Sequence, residues 1–142
     1  MGGANTSAQP ISSIYGLNFS NETGGLISAT LDRGKAAGAG VSGASKGYCM
    51  GGDNGSSTIF SSIYGLNFST ETGGLISATL DQGKTGGTGV SGASKGYCMG
   101  GYNGSTFLSS IYGLNFSTET GGLISATLDQ GRGSGTGIQG VV

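Results

Sequence analysis

The chain contains no histidine and no tryptophan, one proline and two cysteines among 142 residues, and only 9% of its residues are charged. Each scarcity excludes something. Without histidine there is no Ser–His triad and no imidazole metal ligand. Without a surplus of Lys and Arg (formal net charge −1) there is no basic patch to neutralise phosphates, which disfavours nucleic acid as a partner. No apolar run reaches the roughly 18 residues that a membrane-spanning helix needs, so membrane insertion is not expected. The opening residues, MGGANTSAQP, lack the basic start and apolar stretch of a secretory signal. A single proline, Pro10, and the lack of a G-X-Y period exclude collagen despite 33 glycines. Low charge with abundant Gly, Ser and Thr resembles a disordered linker in composition. Regularly recurring Ile, Leu, Tyr and Phe argue for an ordered core instead.

What the chain has in abundance is itself. Ser12–Asp32 reads SSIYGLNFSNETGGLISATLD, and Ser61–Asp81 differs from it only in Thr70 for Asn21. Ser61–Gln82 and Ser109–Gln130 are identical throughout, as are Gly40–Gly52 and Gly89–Gly101. The copies thus start at Ser12, Ser61 and Ser109, and the second interval is shorter than the first by a single position. That difference falls between GGDNGSSTIF and GGYNGSTFL, which marks the stretch as a loop tolerant of length change. Such near-identity implies recent duplication or design. Each copy must meet the same environment as the others, which favours a closed ring or an open stack.

One unit reads as four short strands. Gly89–Ser94 is a small-residue strand, and Gly96–Gly101 is a short apolar strand ended by a double glycine. Ser61–Phe68 alternates with period two, placing Tyr64, Leu66 and Phe68 on one face and Ile63, Gly65 and Asn67 on the other. Ser69–Gly74 is a hairpin turn and Leu75–Leu80 the last strand. The small residues of the first strand suit a crowded innermost position. The expected fold is therefore all-β: a β-propeller of four-stranded antiparallel blades, whose period of four strands in about 45 residues matches one blade. A β-solenoid is the alternative, with a shorter usual repeat. The single repeat array, 1–142, divides into a partial repeat at 1–34, two full repeats at 35–83 and 84–131, and a terminal first strand at 132–142. About three blades result. Propellers close at about four to eight, so homodimerisation into six blades is expected, with an apolar, obligate interface.

The order of motifs resembles the kelch repeat, across nearly the whole chain. The elements that carry the likeness are the double glycines Gly51-Gly52 and Gly100-Gly101, the aromatics Tyr15, Tyr64 and Tyr112, the leucines Leu26, Leu75 and Leu123, and the basic Lys35, Lys84 and Arg132. The resemblance implies that the leucines stand where that family carries an anchoring tryptophan. In its Gly/Ser-rich style the chain is similar to kelch-like repeats of bacteriophage virion proteins and bacterial surface proteins.

Catalysis finds no footing: no catalytic, cofactor-binding or metal-ligating residue is assigned, and no cofactor is expected. Six of the seven carboxylates occupy two repeated positions. Glu22, Glu71 and Glu119 read as solvated turn tips. Asp32, Asp81 and Asp129 each stand three residues before a Lys or Arg and read as turn caps or ion-pair partners. Cys49 and Cys98 hold equivalent places in neighbouring units, about 10 Å apart if the sheets stack, too far for a disulfide. They are expected to be free, buried thiols, which fits assembly in a reducing compartment, alone or within a particle, with secretion as the alternative. The loops after the second strands vary most between copies. Their Asp53, Asn54, Tyr102 and Asn103 are the candidate ligand residues, suited to carbohydrate or to a host or particle surface protein. The expected function is a non-catalytic binding, adhesion or scaffold module. An engineered or excised fragment without a task of its own, and a lectin-like glycan-binding propeller, are the alternatives.

Overall fold

The computed structural model describes residues 1–137, and every regular element among them is a strand. Residues 138–142, the end of the expected terminal first strand, lie outside the described residues. The strands are β1 (Ser13–Asn18), β2 (Thr23–Thr30), β3 (Ala39–Ser42), β4 (Lys46–Met50), β5 (Ser62–Asn67), β6 (Gly73–Thr79), β7 (Thr88–Ser91), β8 (Lys95–Met99), β9 (Ser110–Asn115) and β10 (Gly121–Thr127). They form one two-stranded sheet, β1-β2, and two four-stranded sheets, β3-β4-β5-β6 and β7-β8-β9-β10. All pairing within them is antiparallel, between strands adjacent in sequence. The strand positions follow the expected ones closely, with small differences at the ends.

The period-two pattern dictates how the sheets stack. In the central sheet, Tyr48, Met50 and Ile63 face one neighbour and share a core with Cys98, Tyr112 and Leu114 of the third sheet. Cys49, Tyr64 and Leu66 face the other way and pack on Ile14 and Leu31 of the first. Both faces of the central sheet are thus buried, and β5 reads as nearly continuous burial. The end sheets each bury one face. Tyr15 and Leu17, on the outward face of β1, are 65% and 55% exposed, whereas their counterparts Tyr64 and Leu66 are 3% and 8% exposed.

The small residues of β3 and β7 have a steric cause. The two are edge strands of their sheets and lie side by side. A Cβ on Gly89 would collide with the carbonyl of Gly40, and one on Gly137 with the carbonyl of Gly89. The chain therefore repeats the same close approach at each step. The backbone bonds repeat with it: Gly86 N–H donates to Ala37 O at 2.8 Å and Ser134 N–H to Gly86 O at 2.6 Å.

The double glycines end the second strands for a similar reason. Gly51 and Gly52 hold φ of +70° and +94°, and Gly100 and Gly101 of +65° and +101°, a region open chiefly to glycine. A Cβ on Gly51 would strike the carbonyl of Lys84. The leucines that the kelch resemblance places as anchors behave otherwise. Leu26, Leu75 and Leu123 are 72%, 52% and 56% exposed. They lie on edge strands opposite Tyr15, Tyr64 and Tyr112, and among the described residues no further strand pairs beyond them.

The repeat supplies its own control for the packing. Truncating Leu114, which is 0% exposed, to alanine should cost about 2–5 kcal/mol. In the single chain the same change at the equivalent Leu17, 55% exposed, should cost well under half as much, and a loss as large as that at Leu114 means that another molecule covers this face. Urea denaturation of Leu114→Ala and Leu17→Ala checks both.

Candidate functional site

The loops that join second to third strands cluster at one end of the sheets, beside the turns that join the fourth strand to the next unit. Their geometry is local and polar. Asn54 Oδ1 accepts from the backbone N–H of Ser56 (3.1 Å) and Thr58 (3.0 Å), so the loop folds on its own asparagine. Asn5 and Asn103 do the same in the loops before and after: Asn5 with Ser7 and Gln9, Asn103 with Ser105 and Thr106.

Of the four expected ligand residues, two are committed to structure. Asp53 accepts from the backbone N–H of Gly55 at 2.8 Å and from the hydroxyl of Thr85, which ties one unit to the next. Tyr102 pairs in short bridges with Thr85 and Phe107, and its ring lies 5.2 Å from the Phe107 ring. Asn54 is exposed at the loop tip with its oxygen occupied. Asn103 lines a recess. With Ser57, Thr58, Ile59, Gln82 and Gly83 it encloses a groove of about 440 Å³ between two neighbouring loops. Its Nδ2 donates to Gln82 Oε1 at 2.9 Å. The hydroxyls and amides offer hydrogen bonds to a neutral polar ligand, Ile59 adds an apolar contact, and no acid or base stands among these lining residues.

Beneath these loops the repeated Asp-x-x-Lys turns do more than cap. Lys35 and Lys84 are 1% exposed. Lys35 Nζ lies 3.0 Å from Asp32 Oδ1 and donates to Ser62 Oγ of the next sheet at 2.8 Å. Lys84 repeats this with Asp81 at 2.9 Å and Ser110 at 2.9 Å. Each lysine is thus a buried bolt between sheets. Burial opposes ionisation of Asp32, but hydrogen bonds from Lys35 and Arg33 outweigh it and hold the carboxyl below its ordinary value. At the third position Arg132 pairs with Asp129 in the open, 50% and 76% exposed.

A second polar cluster lies at the opposite end, where the sequence pattern suggests only solvated turn tips. Glu119 is not one. Its Oε1 accepts from Lys46 Nζ at 2.8 Å and from the Tyr48 hydroxyl at 3.1 Å, both on the neighbouring sheet. Phe116 of the same turn stacks on Tyr48, centroids 5.5 Å apart and planes 4° from parallel. The turn aims the carboxylate there: Glu22, Glu71 and Glu119 all hold φ above +50°, and Asn115 O accepts the Glu119 N–H at 2.9 Å. The bond from Lys46 holds the Glu119 carboxyl below its usual range, against a smaller effect of burial. Burial and the Glu119 contact push the Tyr48 phenol up to about 12. Lys46 and Glu119 belong to different repeats, so no local spacing signals the pair; only the stacking of sheets in chain order brings them together.

Cys49 and Cys98 are free and buried, as expected. Burial raises the Cys98 thiol to about 11 and raises Cys49 as well, so neither is a thiolate at neutral pH.

No protein-family model matches the chain, and no curated protein matches it. Among solved structures it is similar to one described as "Structure of YjhT", with a TM-score of 0.73 and 14% identity over 93% of this chain. The chain spans 48% of that protein's length. The likeness is one of fold.

Two measurements follow from these clusters. Asp81→Asn strands a charged lysine in the core and should cost about 3–5 kcal/mol, while in the single chain, where Asp129 and Arg132 are exposed, Asp129→Asn should change little. Thermal unfolding of the two variants decides this. Glu119 is a group whose folded pKa is depressed. Its contribution is complete above the ordinary value of 4.5 and is lost as pH falls through the folded value. Glu119→Gln should therefore flatten the acid limb of the stability curve below about pH 4.5, read by urea titrations across about pH 3–6.

Proposed function

We propose that the chain is a run of about three kelch-like β-propeller blades that completes a six-bladed ring with a second copy and serves as a non-catalytic binding or scaffold module. The observation that carries this reading is the mismatch between equivalent faces. Tyr15 and Leu17 are exposed at one end of the stack, while the same residues in the next two sheets are buried. Ile124 is 39% exposed at the other end. The two end faces are built from the sequences that pack against each other between the internal sheets. A second copy can therefore cover the first with contacts the chain already makes.

Other features support the direction of growth. Arg132 stands where Lys35 and Lys84 bolt onto Ser62 and Ser110, and Ser13 is the equivalent serine of an incoming first sheet. Residues 134–137 continue the inner-edge contact of β3 with β7. The solved structure described as YjhT is about twice as long over a similar fold, which suits a closed assembly of two such chains. The histidine-free composition and weak charge favour binding over catalysis. The groove at Asn103 fits an uncharged polar ligand, such as a carbohydrate, and the alternative is a passive structural part of a particle or surface assembly.

Light scattering should give about twice the chain mass of 13.8 kDa. Replacing Leu17 with aspartate should shift the population toward monomer. A well-folded monomer at micromolar concentration would sink the ring. Binding of a glycan array that is lost in Asn103→Ala would select the carbohydrate reading, and silence on the array would select the scaffold.

A further inference from the structure

We infer that the loop at residues 53–58 modifies itself: the backbone nitrogen of Gly55 attacks the side-chain amide of Asn54, ammonia leaves, and the loop tip becomes aspartate or isoaspartate. Glycine after asparagine favours such a ring closure, because no side chain crowds the attacking nitrogen. The chain has two such pairs, Asn54-Gly55 and Asn103-Gly104. At the first, the groups that the reaction needs are in place. Gly55 N–H donates to Asp53 Oδ1 at 2.8 Å, so a carboxylate already accepts the proton that must leave. Asn54 Oδ1 accepts from Ser56 N–H at 3.1 Å, Ser56 Oγ at 2.9 Å and Thr58 N–H at 3.0 Å. Negative charge grows on that oxygen as Cγ is attacked, and three donors point at it beforehand. Asn54, Gly55 and Ser56 are exposed, so water reaches the product.

Asp53 takes the Gly55 N–H proton while the nitrogen electron pair forms a bond to Asn54 Cγ, and the π electrons of Cγ–Oδ1 move onto Oδ1. Collapse of that intermediate restores the carbonyl and breaks Cγ–Nδ2. Asp53 returns its proton to Nδ2, which departs as ammonia. What remains is a cyclic imide closed across Asn54 and Gly55. One water opens it. Breaking the new bond between the nitrogen and Cγ leaves aspartate. Breaking the bond between the nitrogen and the Asn54 main-chain carbonyl carbon leaves isoaspartate. Nothing is oxidised or reduced.

The other two loops are built-in controls. Tyr102 stands where Asp53 does and brings no carboxylate to the second Asn-Gly pair. Asn103 Oδ1 accepts from Ser105 N–H at 3.0 Å and Thr106 N–H at 2.9 Å, but its Nδ2 is tied to Gln82 Oε1 at 2.9 Å, which restrains the leaving group. Asn5 makes the same turn bonds to Ser7 and Gln9, but Thr6 follows it, and a branched side chain shields the nitrogen. The fold therefore selects Asn54. The change bears on the neighbouring groove, because Thr58, held by Asn54, is among its lining residues. Aspartate adds a negative charge at that border and keeps an acceptor for Ser56 and Thr58. Isoaspartate makes Oδ1 a main-chain oxygen and lengthens the loop by one carbon. The reacting groups all lie in one loop, so the chemistry does not depend on whether the ring forms.

The test keeps the full chain in neutral buffer for weeks and maps its peptides by mass spectrometry, with fragmentation that tells isoaspartate from aspartate. The peptide carrying Asn54 should lose the mass of ammonia and then gain that of water, more than about tenfold faster than the peptide carrying Asn103. Asp53→Asn keeps an acceptor for Gly55 and Thr85 but removes the base, and should slow the Asn54 reaction on the order of a hundredfold. The rate in the parent chain should be flat around neutral pH, where the carboxylate is ionised, and in Asp53→Asn it should rise in proportion to hydroxide. Ser56→Ala, which removes one donor to Oδ1, should slow the reaction roughly tenfold. In urea the two Asn-Gly sites should converge. Equal rates at the two sites in the folded chain, an unchanged rate in Asp53→Asn, a gap that survives in urea, or an Asn54 that stays intact for weeks overturns the inference.

Discussion

Everything in this molecule depends on one constraint: a four-stranded sheet of this sequence has two apolar faces and cannot hide either by itself. Ile63 and Tyr64 are consecutive residues on opposite faces of β5, and both are buried, because a sheet lies on each side. Solvent cannot replace those neighbours, so folding and stacking are one process. The buried lysines follow from the same arrangement. Lys35 and Lys84 reach from the end of one sheet to a serine of the next, and their aspartates neutralise a charge that the interior would otherwise reject.

The strands were legible in the sequence because period-two alternation and paired glycines are local signals. The strands drawn from the letters at Ser61–Phe68 and Gly96–Gly101 fall on β5 at Ser62–Asn67 and β8 at Lys95–Met99, displaced by one or two residues at their ends. So could the Asp-x-x-Lys pairing and the burial of both thiols, since each needs only spacing or a neighbouring repeat. What could not be read was anything set by a different sheet. Glu119 looked like a turn tip because its partners, Lys46 and Tyr48, belong to the preceding repeat and lie far off along the chain. The burial of the lysines was hidden for a similar reason: the letters show an Asp and a Lys three apart, and only the stack encloses them.

The candidate binding loops show the converse. Asp53 and Tyr102 differ between copies, and variation at a loop suggested contact with a ligand. In the structure one braces the next unit through Thr85 and the other packs on Phe107. Variation there records two solutions to holding a loop of different length. Asn103 lines a recess, and it shares with Asn5 and Asn54 the turn-forming role that keeps each loop self-supporting. The leucines on the outermost strands likewise show that a position in a motif does not fix its burial: Leu26, Leu75 and Leu123 stay in solvent.

The near-identity of the copies has a kinetic side. Ser61–Gln82 and Ser109–Gln130 carry the same letters throughout, so no side chain tells a nascent hairpin which second strand it belongs to. Only loop length, shorter by one residue in the later repeat, distinguishes right from wrong partners, and that distinction vanishes between molecules. At low concentration the tethered neighbour wins because it is always near. In a crowded refolding mixture, exchange between chains competes on equal terms, and the yield of correctly threaded product should fall as the chains are brought closer together.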